Sequence, residues 1–270
     1  MAIINPRSIF APASESAGST HPLYLFGHRG YSALAPENTL AAFSVLLEHR
    51  IPGVELDVQL TRDGRVVVIH DENVKRVTGL DALVQDCSAS ELRDLDAGVW
   101  FGKSFRGERI PLLDEVFELL GDKVYYDVEL KWGQRRSRGL EEAVLERIHS
   151  HKLEDRCLIS SFNPYCIRTT QRLAPDIPTA HIYSKHSSIP LLLRHGEARL
   201  AVPTAFMKPR SNQVNLISSF LIRRVFQSEI LTWTVDDPQE ATHLVHLGVR
   251  GLISNHPGKI KTVLPAKDQT

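Results

Sequence analysis

Two acidic side chains on an apolar run offer the first chemistry. In Val54-Glu55-Leu56-Asp57-Val58, strand alternation puts Glu55 and Asp57 on one face and the aliphatic residues on the other. Inside a fold, two such carboxylates repel each other unless a cation sits between them. All-oxygen ligands select Mg2+ or Ca2+, with Mn2+ as a further candidate, over zinc. Taken alone, the same alternation also describes a solvated strand face. The segment Thr61-Arg62-Asp63-Gly64-Arg65 follows, and Asp-Gly is a strong two-residue hairpin signal. That turn predicts Arg62 opposite Arg65 and Asp57 opposite His70, which brings an imidazole beside the acidic pair. A second histidine stands in Phe26-Gly27-His28-Arg29-Gly30, where Arg29 presents a planar fork suited to phosphate. Gly27 and Gly30 are expected to let a ligand approach the backbone. In Tyr126-Asp127-Val128-Glu129-Leu130-Lys131, one face carries Asp127, Glu129 and Lys131. A third carboxylate there completes a metal site, and Lys131 is placed to hold a phosphate oxygen. Trp233 offers an aromatic wall for a substrate's carbon part.

These groups need elements to hold them. Short β-branched runs alternate with helical-period segments from Leu23 onward, the pattern of a parallel α/β fold. Strands are predicted at Leu23–Phe26, Val54–Leu60, Arg65–His70, Val124–Leu130, Cys157–Ser161, Thr179–Tyr183, Ala205–Lys208, Ile230–Val235 and Gly251–Ser254. Helices are predicted between most of them, the clearest at Asn38–Arg50 with Asn38 or Thr39 as cap. This is one strand more than an eight-stranded barrel needs, and the antiparallel hairpin explains the surplus. Residues 72–109 read as a large insertion following the hairpin on the active-site face, where Leu95, Trp100, Phe101 and Phe105 are expected to form a small cap beside the site.

The bulk properties agree. A chain of 270 residues is long enough for one such barrel. Its 32 basic and 32 acidic residues cancel, which argues against a nucleic-acid partner. No apolar run approaches the ~20 residues that stable membrane insertion requires. The three cysteines, Cys87, Cys157 and Cys166, lack metal-like spacing and are expected as free thiols in the cytoplasm. Residues 1–22 read as a loose arm, 23–258 as a single domain and 259–270 as a tail.

Read in order along the chain, the motifs resemble the glycerophosphodiester phosphodiesterase family. His28-Arg29-Gly30 followed by Pro36-Glu37-Asn38-Thr39 is similar to its opening motif. Glu55-x-Asp57, His70-Asp71, Leu95-Asp96-Ala97-Gly98, Glu129-x-Lys131, Ser161-Phe162 and Trp233-Thr234-Val235 resemble the later ones. The resemblance spans about Tyr24 to Pro257. It implies a TIM (β/α)8 barrel of the phospholipase-C-like phosphodiesterase type. It implies His28 and His70 as general acid and base, and Glu55, Asp57 and Glu129 as ligands of one divalent cation. Arg29 and Lys131 are then phosphate holders, Trp233 lies on the substrate side, and Glu37 braces the site through hydrogen bonds or touches the metal. Asp236 departs from the pattern, which has asparagine after Trp-Thr-Val, and the departure bears on a substrate-side contact. The implied reaction is metal-dependent hydrolysis of a small glycerophosphodiester to sn-glycerol 3-phosphate and an alcohol. A lysophospholipase D acting on lysophospholipids is the nearest alternative and needs an apolar channel. A non-catalytic barrel is a further one, opposed by the filled ionisable positions. The oligomeric state and the role of residues 185–200 are not indicated.

Overall fold

The protein is described as a computed structural model over residue 10 and residues 23–131, 138–187 and 191–264. Its strands are β1 (Tyr24–His28), β2 (Gly53–Leu60), β3 (Val66–Val68), β4 (Tyr125–Leu130), β5 (Cys157–Ser161), β6 (Thr179–Tyr183), β7 (Phe206–Pro209), β8 (Glu229–Thr232) and β9 (Gly251–Ser254). The sheet runs β1-β9-β8-β7-β6-β5-β4-β2-β3, and an added β1–β2 pairing closes it. Eight parallel strands therefore form a TIM barrel, and β3 hangs antiparallel from the end of β2. The surplus strand lies outside the barrel, as the hairpin signal implied.

Helices clothe the outside. They are α1 (Leu40–Glu48), α2 (Lys75–Thr78), α3 (Ala89–Arg93), α4 (Leu113–Leu120), α5 (Leu140–Ser150), α6 (Pro164–Leu173), α7 (Leu216–Phe220), α8 (Pro238–His246) and α9 (Pro257–Lys261). Thr39 caps α1 by accepting from the Ala42 amide. Strand residues of one parity, such as Val54, Leu56 and Val58, pack outward against Phe43, Leu46, Val116 and Phe117. Residues of the other parity point into the barrel. Its lower part is apolar, with Tyr24, Phe26, Tyr125, Leu158, Phe206 and Leu231 forming one cluster.

Two boundaries differ from expectation. Phe10, read as part of a loose arm, is 2% exposed and sits in that lower cluster. Its ring centroid lies 5.1 Å from Tyr24, 5.9 Å from Tyr125 and 6.0 Å from Phe206. A lone aromatic in a polar arm carries no periodicity, so nothing local announces its burial. At the other end, the segment read as a tail begins inside α9, and Ile260 and Leu264 are buried in the main core. Among the described residues no helix is long and apolar enough to cross a membrane.

The hairpin register also differs. Val58 pairs with Val68, Gln59 with Val67 and Leu60 with Val66, not in the register that sets Asp57 opposite His70. Three residues rather than two make the turn, with the Thr61 amide donating to the Arg65 carbonyl at 2.9 Å. Gly64 takes a φ of +75°, the left-handed conformation that three-residue hairpin loops place there. The Thr61 hydroxyl anchors the loop to Asp63 and to the Arg65 amide. Asp57 consequently faces Ile69, whose amide donates to the Asp57 carbonyl. Val67 and Ile69 are left pointing into the insertion, where they nucleate a small core with Val74, Val77, Leu92, Ala97 and Ile110.

Candidate active site

Strand register assembles the site above the apolar plug. Pairing of β1 with β2 sets His28 beside Glu55. Pairing of β2 with β4 sets Glu55 beside Asp127 and Asp57 beside Glu129. In-register neighbours share a face about 4.8 Å apart, so four carboxylates crowd one stretch of barrel wall. Glu55, Asp57 and Glu129 are all buried and offer oxygens within 4.8 Å of one another. Three basic side chains face them. Lys208 on β7, 2% exposed, lies 2.8 Å from Asp127 and 3.6 Å from Glu55. Lys131 lies 2.9 Å from Glu129 and 3.7 Å from Asp57. Arg29 lies 3.4 Å from Asp57 and 2.7 Å from Glu37.

The charges do not balance. Four buried carboxylates against Lys208, Lys131 and a shared Arg29 leave negative charge over. Burial pushes the Glu55 carboxyl up to about 8, with Asp57, Glu129 and Asp127 adding to the push against the pull of Lys208. Burial also raises Asp57, but Arg29 and Lys131 outweigh it and hold that carboxyl below the usual range. An all-oxygen, buried and under-compensated donor set fits a hard divalent cation.

The two histidines reach the site by different routes. His28 ends β1, and Arg29 after it takes a φ of +56°. That unusual backbone turns the Arg29 amide toward Glu55, 3.1 Å away. Gly27 and Gly30 serve this turn rather than a ligand. A Cβ at Gly27 would lie 2.5 Å from the Gly30 carbonyl oxygen and 2.6 Å from Leu46, and one at Gly30 would lie 2.8 Å from Ala42. The space expected for ligand approach is filled by α1. His28 donates from Nδ1 to Asn255 at 2.7 Å, and its Nε2 lies 3.9 Å from Glu55. Burial, helped by Arg29, pushes the ring's pKa down to about 4. His70 arrives because the chain leaves the ladder after β3. Gln59 Nε2 lies 3.0, 3.1 and 2.8 Å from the carbonyls of Ile69, His70 and Asp71 and pins that bend. His70 Nδ1 is then 2.6 Å from Asp71.

A second tier of charge holds both sides. Arg76 on α2 reaches Asp71 at 2.5 Å and Glu37 at 2.6 Å. Glu37 in turn accepts from Arg29 at 2.7 Å. Asn38 donates to Asp57 at 2.9 Å. Around these groups lies a cavity of about 590 Å³, whose walls include His28, Arg29, Glu55, His70, Glu129, Lys131 and Trp233. Asp57 and Glu37 touch Arg29 instead. Phe162 meets Trp233 edge-on at 5.8 Å and completes an aromatic wall.

Sequence reasoning missed Lys208, Arg210, His186 and Glu72 on the cavity wall. Lys208 left one signal, since it alternates with inward-facing Phe206 on a short apolar strand. The aromatic cap expected beside the site stands off it. Trp100, Phe101 and Phe105 stack edge-on in series, at 5.7 and 5.4 Å, yet none lines the cavity. Trp100 instead lies 5.7 Å from the Arg76 guanidinium. The insertion meets the cavity through Glu72.

The fold is a TIM barrel with ionisable groups gathered toward the C-terminal ends of its strands, the face where such barrels place their active sites, and the relatives it resembles are phosphoric diester hydrolases. The chain belongs to the glycerophosphoryl diester phosphodiesterase family, whose sequence profile matches residues 28–259. It is 39% identical over 238 residues to a glycerophosphodiester phosphodiesterase of Caldanaerobacter subterraneus, covering 86% of this chain and 94% of that one. Among solved structures it is similar to a phosphodiesterase of Oleispira antarctica in complex with the product sn-glycerol-3-phosphate. That likeness has 30% identity and a TM-score of 0.78, over 90% of this chain and 96% of that one. A glycerophosphodiester phosphodiesterase of Thermotoga maritima is similar at 27% identity and a TM-score of 0.71, over 91% of this chain and all of that one (100%).

Proposed function

We propose that this enzyme hydrolyses small glycerophosphodiesters to sn-glycerol 3-phosphate and an alcohol, using one divalent cation and paired-histidine acid–base catalysis. The observation that carries the reading is the meeting of His28 and His70 with the buried Glu55, Asp57 and Glu129 cluster at one cavity. The Oleispira relative, in complex with sn-glycerol-3-phosphate, supports the same product.

Glu55, Asp57 and Glu129 hold the cation, Mg2+ or Ca2+. When bound, it neutralises phosphate charge that otherwise repels a nucleophile. Arg29 and Lys131 hold phosphate oxygens and add to that neutralisation as charge builds up. One histidine takes a proton from the nucleophile and the other gives one to the leaving alcohol. Water, or the neighbouring glycerol hydroxyl forming a cyclic phosphate, serves as nucleophile. Phe162 and Trp233 flank the carbon part of the substrate. A cavity of about 590 Å³ suits a compact diester. Free thiols at Cys87, Cys157 and Cys166 support a cytoplasmic setting.

The test is turnover of glycerophosphocholine and a lysophospholipid side by side, with and without EDTA. Glycerophosphocholine is expected to be cleaved faster, with loss in EDTA and recovery on adding Mg2+ or Ca2+. Full activity in chelator after dialysis would remove the metal role, and faster lysophospholipid cleavage would reverse the substrate assignment.

A further inference from the structure

Asp236 and Asn255 form a pair outside the cavity wall that, among the described residues, touches the site through His28. Asp236 accepts three hydrogen bonds. Its Oδ1 takes the Ser254 hydroxyl at 3.0 Å and the Asn255 amide at 2.8 Å, and its Oδ2 takes the Asn255 side-chain Nδ2 at 2.8 Å. A carboxylate only accepts, so it settles which end of the Asn255 amide faces it. The Nδ2 group must point to Asp236, which leaves Oδ1 pointing the other way. There it accepts from the Ser32 hydroxyl at 2.9 Å and lies 2.7 Å from His28 Nδ1. An amide oxygen facing Nδ1 requires the ring proton on that nitrogen. The other nitrogen, Nε2, is then bare on the side nearest Glu55.

We infer that Asp236 and Asn255 are positioning residues that set the tautomer and orientation of His28. The inference rests on the proposed role of His28 in proton transfer. It also accounts for the aspartate after Trp-Thr-Val, which works behind the histidine and not against the substrate.

The pair's chemistry supplies its own test, because amide and carboxylate are isosteric and can change places. In Asp236→Asn, two side-chain amides meet. Turning the introduced amide's nitrogen against the backbone N–H of Asn255 sets two donors together with no relief, so Asn255 flips instead and presents Nδ2 to His28. The flip forces the ring proton onto Nε2. In Asn255→Asp, two carboxylates face one another across a 2.8 Å contact. The double variant, Asp236→Asn with Asn255→Asp, exchanges the two groups. The amide now at position 236 donates to the carboxylate now at position 255 and accepts that residue's backbone N–H. The moved carboxylate accepts from Ser32 and His28. Every hydrogen bond of the pair is restored with the charge carried to the other partner.

Each single variant is expected to lower kcat on glycerophosphocholine by about 10-fold or more, with KM within about 3-fold of the parent. The double variant is expected to recover to within about 3-fold of the parent, a coupling that independent structural damage does not produce. Spectra of the 15N-histidine-labelled protein at neutral pH supply a readout independent of turnover. His28, assigned by the signal missing in His28→Ala, is expected as the Nδ1–H tautomer in the parent and the double variant, and as the Nε2–H tautomer in Asp236→Asn. Single variants at parental kcat, a double variant no better than the worse single, or an Nε2–H ring in the parent would each overturn the inference. If His28→Ala keeps its activity, the catalytic reading of His28 fails, while the tautomer spectra still decide whether the pair sets the ring.

Discussion

At the residue scale, function and stability pull Glu55 in opposite directions. Its carboxyl is pushed up to about 8 by burial among other carboxylates, so ionising it in the metal-free protein is costly. A group whose folded pKa lies above its unfolded value stabilises fully below the unfolded value, and that stabilisation is lost as pH rises through the folded one. Metal-free protein should therefore lose stability between about pH 4.5 and pH 8 through this residue. We expect Glu55→Gln to flatten that slope in thermal melts under chelator and to raise Tm at pH 8 by a few degrees, roughly what 1 kcal/mol produces in a domain of this size. The same substitution should lower kcat/KM by about 10²-fold or more, the trade expected where a site is built at the expense of the fold. His28→Ala and His70→Ala should each lower kcat by about 10²-fold with the fold intact by circular dichroism, and parental turnover in either would end its assignment.

At the level of the elements, the insertion lines the cavity with Glu72 and reaches the site's ionic groups through Arg76. Arg76 joins Asp71, which orients His70, to Glu37, which holds Arg29. Removing it leaves two carboxylates to repel each other and frees both catalytic-side partners. Arg76→Met is expected to lower kcat by about 10-fold or more, because outer hydrogen-bond partners of site residues carry effects of that order. Among the described residues, Trp100 reaches the site by lying against Arg76. Trp100→Ala should thus cost some stability and some kcat while leaving the ratio of kcat/KM for glycerophosphocholine and a lysophospholipid unchanged. Phe162→Ala, at the aromatic wall, should move that ratio by several-fold. A Trp100 variant with altered preference and an unmoved Phe162 variant would reverse these assignments.

Across the molecule, the barrel is apolar at one end and ionic at the other. Phe10 closes the apolar end by packing among Tyr24, Phe26, Tyr125 and Phe206. Phe10→Ala removes a fully enclosed ring and should destabilise by about 3 kcal/mol, lowering Tm by roughly 6–12 °C. Because the plug and the site lie in different layers, kcat measured well below the new Tm should stay at the parental value. A variant that melts normally would show that Phe10 contributes little to the barrel.

Local order along the chain was enough to define the layers. Period-two alternation marked which residues of each strand point inward, and β-branched runs separated by helical segments marked eight barrel strands and a hairpin. These signals are local, since alternation follows from backbone geometry within a strand. The motif residues His28, Arg29, Glu55, Asp57, His70, Glu129 and Lys131 carried signals of the same local kind, residue types at fixed spacings in an order along the chain that resembles a known family. What meets what was settled only in three dimensions. The hairpin register turned on Gly64 adopting a left-handed φ, and one residue of slip sent Ile69 where His70 was expected. Lys208 answers Asp127 from a strand three places along the sheet, and Asn255 meets His28 from the far end of the chain. Such contacts carry no local signature, because they exist only when barrel closure brings the first strand beside the last.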